Sequence, residues 1–180
     1  MRQLNKKGRV VVERYYTQPW IVSGLSKGKY WLLRLLYLAL MAVSAVIYII
    51  AMTRDVPGNY SIVVGLPGYA SIMCLFFLVI ATFSYVLVER KMTIWAHTSS
   101  AKKLKRYSLA TSVGQLVTAI ALSVYALVTQ AAVSKSLLCA ALILLSAVFS
   151  GVMFLIERKV PYVEQPNDMK LPAGEHHEIW

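Results

Sequence analysis

Residues 31–53 read WLLRLLYLALMAVSAVIYIIAMT, an apolar stretch in which Arg34 is the one charged side chain. A helix needs about 20 mostly apolar residues to cross the roughly 30 Å hydrocarbon layer of a membrane. Three more segments, residues 69–88, 107–129 and 137–156, are as apolar and carry no charged side chain. The sequence therefore predicts four transmembrane helices.

The composition of the whole chain agrees with this interpretation. Of its 180 residues, 58% are hydrophobic and 15% are charged, whereas globular proteins average about 45–50% apolar and about 25% charged residues. Lipid offers no partners to backbone polar groups, so helices are expected rather than isolated strands. We predict an all-α integral membrane protein, a four-helix bundle over residues 31–157. A basic N-terminal region (1–30) and a flexible C-terminal tail (158–180) flank it.

The distribution of basic residues predicts how the chain is oriented. The net charge is +11, from 19 Lys and Arg against 8 Asp and Glu. Lys and Arg cluster before the first span, between the second and third, and after the fourth, while the other two loops hold only Arg54 and Lys135. Cytoplasmic flanks carry the excess of Lys and Arg. We therefore expect a multi-pass protein of a bacterial-type cytoplasmic membrane, with both termini cytoplasmic.

Two local matches raise the question of an internal duplication. Helix two ends in VLVERK and helix four in FLIERK. Tyr30 and Tyr48 in the first half are matched by Tyr107 and Tyr125 in the second, and the two residues of each pair have the same separation. The chain would then be two parallel αα-hairpin repeats, related by an axis along the membrane normal. The alternative is that membrane interfaces enrich aromatic and charged borders in unrelated helices.

Arg34 lies about one turn inside the first span, and an ionisable group there is a functional hypothesis by default. Glu89 and Glu157 leave the membrane at the same cytoplasmic depth on helices two and four. We predict a structural ion pair between Arg34 and one of these glutamates. The alternative is that the long Arg34 side chain extends to the headgroups. Spans two to four hold no other acid, His or Lys before their ends, which disfavours a proton-coupled exchanger.

Small and polar residues recur at helix-contact spacing in the last two spans. Small side chains allow transmembrane helices to approach closely, and buried amides can bond between helices. The predicted helix-packing residues are Ala110, Gly114, Gln115 and Thr118 in the third span, and Ala147 and Gly151 in the fourth. Either packing within the bundle or an oligomer interface would explain this pattern.

The connection between the second and third spans is basic, with apolar residues interleaved. The predicted contacts to lipid headgroups are Arg90, Lys91, Lys102, Lys103, Lys105 and Arg106. Such a segment can lie on the inner leaflet and gain about 1 kcal/mol per basic residue from anionic lipid. Orientation alone also explains the charge.

No catalytic motif occurs, so an enzyme is not expected, and neither a cofactor nor a metal site is predicted. The run Glu175-His176-His177-Glu178 lies in the predicted tail, without a scaffold for coordination. Cys74 and Cys139 lack metal-ligand spacing, and whether they pair is open. The pattern Asn59-Tyr60-Ser61 matches a glycosylation acceptor, which matters only in a eukaryotic secretory pathway.

These observations favour a small, non-enzymatic subunit or regulator of a larger membrane assembly. The expected partners are membrane lipids and other membrane subunits or further copies of the chain, and not nucleic acid. The sparse polar content of the spans supports this hypothesis, because an aqueous path needs more lining residues. The alternative is a small oligomeric transporter or channel, lined by Ser, Thr and Gln115.

Overall fold

The computed structural model describes residues 2–4, 10–12 and 19–166. Its strands are β1 (Arg2–Leu4), β2 (Val10–Val12), β3 (Trp20–Ser23), β4 (Lys91–Met92) and β5 (Tyr162–Gln165). Its α-helices are α1 (Lys27–Met52), α2 (Ile62–Leu87), α3 (Ile94–Ser99), α4 (Ala101–Thr129) and α5 (Val133–Lys159), with a 3₁₀ turn at Pro57–Tyr60. Strands β1 and β2 pair antiparallel.

Four of these helices are long and apolar enough to cross a membrane. Helices α1, α2, α4 and α5 contain 26, 26, 29 and 27 residues. At about 1.5 Å per residue each exceeds the roughly 30 Å of hydrocarbon. The predicted helical bundle is confirmed, and the chain has the architecture of a multi-pass membrane protein.

The inside of the bundle combines apolar side chains with polar ones, and large apolar side chains cover its outside. The outward-facing residues include Val46, Phe76, Ile120 and Leu155. The buried polar side chains within the helices are Ser44, Ser71, Thr82, Ser108, Thr111, Gln115, Thr118, Ser136, Ser146, Ser150 and Glu157. This arrangement suits lipid, because apolar side chains gain nothing by leaving it, whereas small and polar groups pack and bond between helices.

The helices follow one another around the bundle in the order α1, α5, α4, α2. Helix α4 packs extensively on both α5 and α2, while α1 packs more on α5 than on α2, its neighbour in the chain. The α1–α2 hairpin is therefore loose and the α4–α5 hairpin is tight. The two hairpins differ in their packing, and the predicted repeat stays a prediction.

A small antiparallel sheet lies at one end of the bundle, which we call the sheet end. Strand β3 is central, pairing with β4 through Ile21 and Met92 and with β5 through Val22 and Val163. It precedes α1, β4 follows α2, and β5 follows α5. Parts of the N-terminal region, the middle connection and the chain after α5, namely residues 20–23, 91–92 and 162–165, thus meet at the same end.

This sheet departs from the purely helical prediction. Its strands contain two to four residues, too few for alternation to mark them in a sequence. Residues 162–165, expected in a flexible tail, pair with β3 instead. In the middle connection, Met92 and Leu104 are buried in the protein, whereas Trp95 is exposed. Part of the apolar surface that we assigned to the leaflet therefore faces the protein.

Candidate functional site

Glu157, in the last turns of α5, is the buried carboxyl at the sheet end, with 4% of its surface exposed. Its Oε2 accepts a hydrogen bond of 2.7 Å from the Tyr37 hydroxyl, and its Oε1 accepts one of 2.6 Å from Tyr162. Sequence reasoning placed this residue at the membrane border as a possible partner of Arg34. The partners that the structure gives it are two tyrosines.

Two more tyrosines complete a tyrosine cluster, defined as Tyr30, Tyr37, Tyr85 and Tyr162. The Tyr85 hydroxyl lies 3.2 Å from that of Tyr162. The ring of Tyr85 lies 5.3 Å from that of Tyr37 and 5.9 Å from that of Tyr30, between ring centres. Burial, followed by the nearby Glu157 carboxylate, raises the pKa of the Tyr162 hydroxyl, which therefore remains a proton donor.

The cluster joins segments that are far apart in sequence. Tyr30 and Tyr37 lie seven residues apart on α1, and thus on one helix face; Tyr85 comes from α2, Glu157 from α5 and Tyr162 from β5. A carboxylate surrounded by donors in a dry site forms short, strong hydrogen bonds. Together with Glu157, the cluster therefore links three helices to the sheet.

Sequence reasoning missed this cluster, because it considered Tyr30 only as part of a possible repeat or as a border residue enriched at membrane interfaces. The available signal was the spacing of Tyr30, Tyr37 and Tyr48, which the buried stripe of α1 contains. Tyr48, nearer the other end, donates a hydrogen bond of 3.0 Å to the carbonyl of Gly68. A helix face that repeats tyrosine toward the interior indicates bonding between helices.

A second feature of the sheet end is an open cavity of about 600 Å³, which we call the basic cleft. Its lining residues are Val22, Lys27, Tyr30, Trp31, Arg34, Glu89, Arg90, Lys91 and Gln165. Four of these are basic and one is acidic, so the lining has a positive excess. Strand β3, the first turns of α1 and the chain after α2 form its walls.

Three of the four basic side chains of the cleft are held by contacts of their own. The guanidinium carbon of Arg34 lies 4.6 Å from the centre of the Tyr30 ring. The Nε of Arg90 donates a hydrogen bond of 3.2 Å to the Ser23 carbonyl, and the Nζ of Lys91 lies 4.9 Å from the Trp20 ring centre. Cation–π and hydrogen-bond contacts restrict these flexible side chains.

The structure brings Arg34 and Glu89 to the lining of the same cleft, and an ion pair between them stays a prediction. The Nε of Arg34 is buried and has no hydrogen-bond partner among residues 19–166. Of the six predicted headgroup residues, Arg90 and Lys91 line the cleft. The other four, Lys102, Lys103, Lys105 and Arg106, are exposed on the first turns of α4.

Most of the predicted packing residues face another helix, whereas one lies on the outside of the bundle. A Cβ on Gly114 would lie 2.8 Å from the Ser71 Oγ, and one on Gly151 would lie 3.2 Å from the Ser112 Oγ. The Ala147 carbonyl accepts a hydrogen bond of 2.9 Å from Ser112. The Thr118 hydroxyl lies 3.1 Å from that of Ser71. Ala110 is exposed on the outside of this bundle, and its predicted packing role stays a prediction.

Gln115 lies in a hydroxyl cluster at the middle of the bundle. Its Oε1 accepts a hydrogen bond of 3.4 Å from Ser150, while its Nε2 has no partner in the described part of the chain. The Ser44 hydroxyl lies 2.8 Å from that of Ser150 and 2.9 Å from that of Ser146. The amide thus connects α4 to α5, and the serines connect α5 to α1.

Among residues 19–166, Cys74 and Cys139 are free thiols. The same part of the chain contains no group of three or more His, Cys, Asp or Glu side chains that could hold a metal ion. The 175–178 run lies outside the described residues. Asn59 donates to the carbonyls of Ala51, Met52 and Arg54 at 3.0–3.2 Å, and so caps the end of α1.

The chain was also compared with protein-family models, with characterised proteins and with solved structures, and no match was found. What this chain does is therefore inferred from the geometry of the sheet end and of the bundle interior.

Proposed function

We propose that this chain is a non-enzymatic subunit or regulator of a larger membrane assembly. The observation that carries the proposal is the sheet end, where three separate segments of the chain form one folded surface on the bundle. Strand β5 forms an edge of this sheet and exposes Val163, Glu164 and Gln165. An exposed strand edge presents backbone groups that can pair with another chain.

The bundle interior supports a scaffolding role. Hydroxyls of Ser44, Ser112 and Ser146 bond to groups on neighbouring helices. Such bonds stabilise transmembrane helix contacts by about 0.6–2 kcal/mol each. Side chains engaged in this way hold the bundle together rather than line an aqueous path, and the sheet end is left as the surface for partners.

The proposal includes an orientation. The sheet end contains the basic cleft and the exposed basic turns of α4, whereas the opposite end contains Arg54 and Lys135. By the rule that cytoplasmic flanks are rich in Lys and Arg, the sheet end faces the cytoplasm of a bacterial-type cell. The subunit therefore meets its partners on the cytoplasmic side.

Site-specific photo-crosslinking in native membranes tests this function. A photoreactive amino acid replaces Glu164 on the exposed edge of β5. Matched controls carry it at Val46, on the lipid-facing side of α1, and at Tyr60, at the opposite end. We expect a discrete protein adduct from position 164 that neither control gives. Equal labelling from all three positions, or no protein adduct from 164, would contradict the proposal.

The alternative, a small oligomeric transporter or channel, is favoured by one observation. The Nε2 of Gln115 is buried without a partner in the described chain, and a passing solute or water could accept its hydrogen bonds. Ion and solute flux into proteoliposomes tests this alternative. A flux that Gln115→Leu abolishes in a correctly folded protein would support it, and no flux in the unchanged protein would contradict it.

A further inference from the structure

We propose that the basic cleft is a binding site for the phosphate of an anionic phospholipid, with Arg34 as its central ligand. This site does not depend on the subunit role proposed above, since a lipid can bind there in any membrane context. Phosphate suits this cleft for two reasons. It is anionic, and its oxygens can accept two parallel hydrogen bonds from the N–H groups of a guanidinium.

The charges of the cleft favour an anion. Lys27, Arg34, Arg90 and Lys91 line it together with one carboxylate, that of Glu89. Arg90 and Lys91 are already held by the Ser23 carbonyl and the Trp20 ring. A ligand therefore costs less ordering of side chains than it would on a flexible basic loop. The exposed lysines of α4 lack a comparable enclosure.

Arg34 itself indicates a missing anion. It lies on the second turn of a membrane-spanning helix, and its Nε is buried without a hydrogen-bond partner within the described residues. Within the described residues its guanidinium lies against Tyr30, whose ring is a weak counterpart to a full positive charge. A phosphate in the cleft would supply the opposite charge and the hydrogen-bond acceptors that a partly buried guanidinium requires.

The position of the cleft favours a lipid over a soluble phosphate. Trp31 lines it and is 60% exposed, and Leu32 and Leu35 beside it on α1 are also exposed on the outside of the bundle. Tryptophan favours the headgroup level of a membrane. A headgroup in the cleft would let its acyl chains lie along this apolar face of α1. The volume of about 600 Å³ also exceeds what a free phosphate ion would fill.

Lipid retention in nanodiscs tests the site. The full chain is placed in nanodiscs of phosphatidylcholine with a minor fraction of phosphatidylglycerol, and the lipids retained after gentle release are measured by native mass spectrometry. We expect selective retention of phosphatidylglycerol. We expect Arg34→Gln to weaken it by about tenfold, or about 1.4 kcal/mol. The matched control Arg106→Gln removes the same charge from the exposed face of α4 and should change retention by less than about twofold.

A second variant separates binding from folding. If Arg34→Gln does not fold, the double variant Arg90→Gln/Lys91→Gln alters exposed side chains of the same cleft and should reduce retention by a similar factor. Excess inorganic phosphate identifies the source of the ligand: displacement by phosphate alone would overturn the lipid assignment. Equal retention of the two lipids by the unchanged protein, or equal losses in the cleft variants and Arg106→Gln, would overturn the proposal.

Discussion

The hydroxyl of Tyr162 donates a hydrogen bond of 2.6 Å to the Oε1 of Glu157, five residues earlier in the chain. The bond turns β5 back onto the end of α5. Because β5 also pairs with β3, which precedes α1, this contact connects the last helix to the first through the sheet. The stability of the sheet end should therefore depend in part on the Tyr162 hydroxyl.

We expect Tyr162→Phe to destabilise the protein by about 1–3 kcal/mol. The substitution keeps the buried ring but removes a hydrogen bond to a carboxylate and leaves that oxygen without its donor. Thermal unfolding in detergent can be followed with a thiol-reactive dye, because Cys139 is buried and reacts when the bundle opens. Tyr69→Phe, on the exposed surface of α2, is the control. Equal melting of the two variants would contradict the role of the hydroxyl.

The same tyrosine predicts a dependence on alkaline pH. Its pKa in the folded protein is raised, whereas in an unfolded chain it is about 10. Above about pH 10 the unfolded state loses this proton and the folded state keeps it, so the free energy of unfolding falls as the pH rises. The fall should be shallower in Tyr162→Phe. The free energy of unfolding is measured by chemical denaturation between pH 9 and 11. If it falls with the same slope in the unchanged protein and in Tyr162→Phe, this prediction is wrong.

Close packing at Gly114 gives a prediction with a matched control. An added methyl group would lie 2.8 Å from the Ser71 Oγ, which is fixed by the Pro67 carbonyl and the Thr118 hydroxyl. Gly114→Ala should therefore destabilise the bundle by about 1–3 kcal/mol. Gly28→Ala, in the first turn of α1, meets no described atom within 4 Å. Alanine has a higher helix propensity than glycine, so Gly28→Ala should stabilise the protein by about 0.5–1 kcal/mol. If Gly114→Ala and Gly28→Ala shift the melting temperature in the same direction, this prediction is wrong.

The elements that the sequence predicted well are those whose signal is local. Four long apolar segments determine four helices, because each helix satisfies its own backbone wherever it lies. Small residues such as Gly114 and Gly151 can likewise be recognised from residue type, and their packing role stays a prediction. Neither conclusion requires knowing which helices are neighbours, and for that reason both could be reached from residue types alone.

The sheet and the tyrosine cluster depend on contacts between distant segments. Residues 91–92 and 162–165 are too short to be recognised as strands, and they pair only because the bundle brings them to β3. Glu157 is one residue from Arg158 and so resembles a border residue, yet the fold buries it beside Tyr37, 120 residues away. Pairings of this kind cannot be predicted until the helix order is known.

Gln115 provides a test of whether the polar interior is structural. Its one hydrogen bond, from Ser150, is long at 3.4 Å, and its Nε2 has no partner in the described residues. A buried donor without a partner costs about 1–3 kcal/mol. Leucine is of similar size, so Gln115→Leu loses a weak bond but also removes that cost. We expect the free energy of unfolding of Gln115→Leu to lie within about 1 kcal/mol of that of the unchanged protein.

Gln115→Glu should behave differently, because a carboxyl at the same position keeps the size of the side chain but adds an ionisable group in the bundle interior. Helix α4 carries no basic residue after Arg106, so no neighbour on the same helix offers a positive charge to position 115. An unpaired charge there costs several kcal/mol unless it takes up a proton. We therefore expect the melting temperature of this variant to fall further between pH 5 and pH 8 than that of the unchanged protein or of Gln115→Leu. A Gln115→Glu variant with the stability of Gln115→Leu at both values would indicate that water already reaches the amide, which would favour the channel over the scaffold.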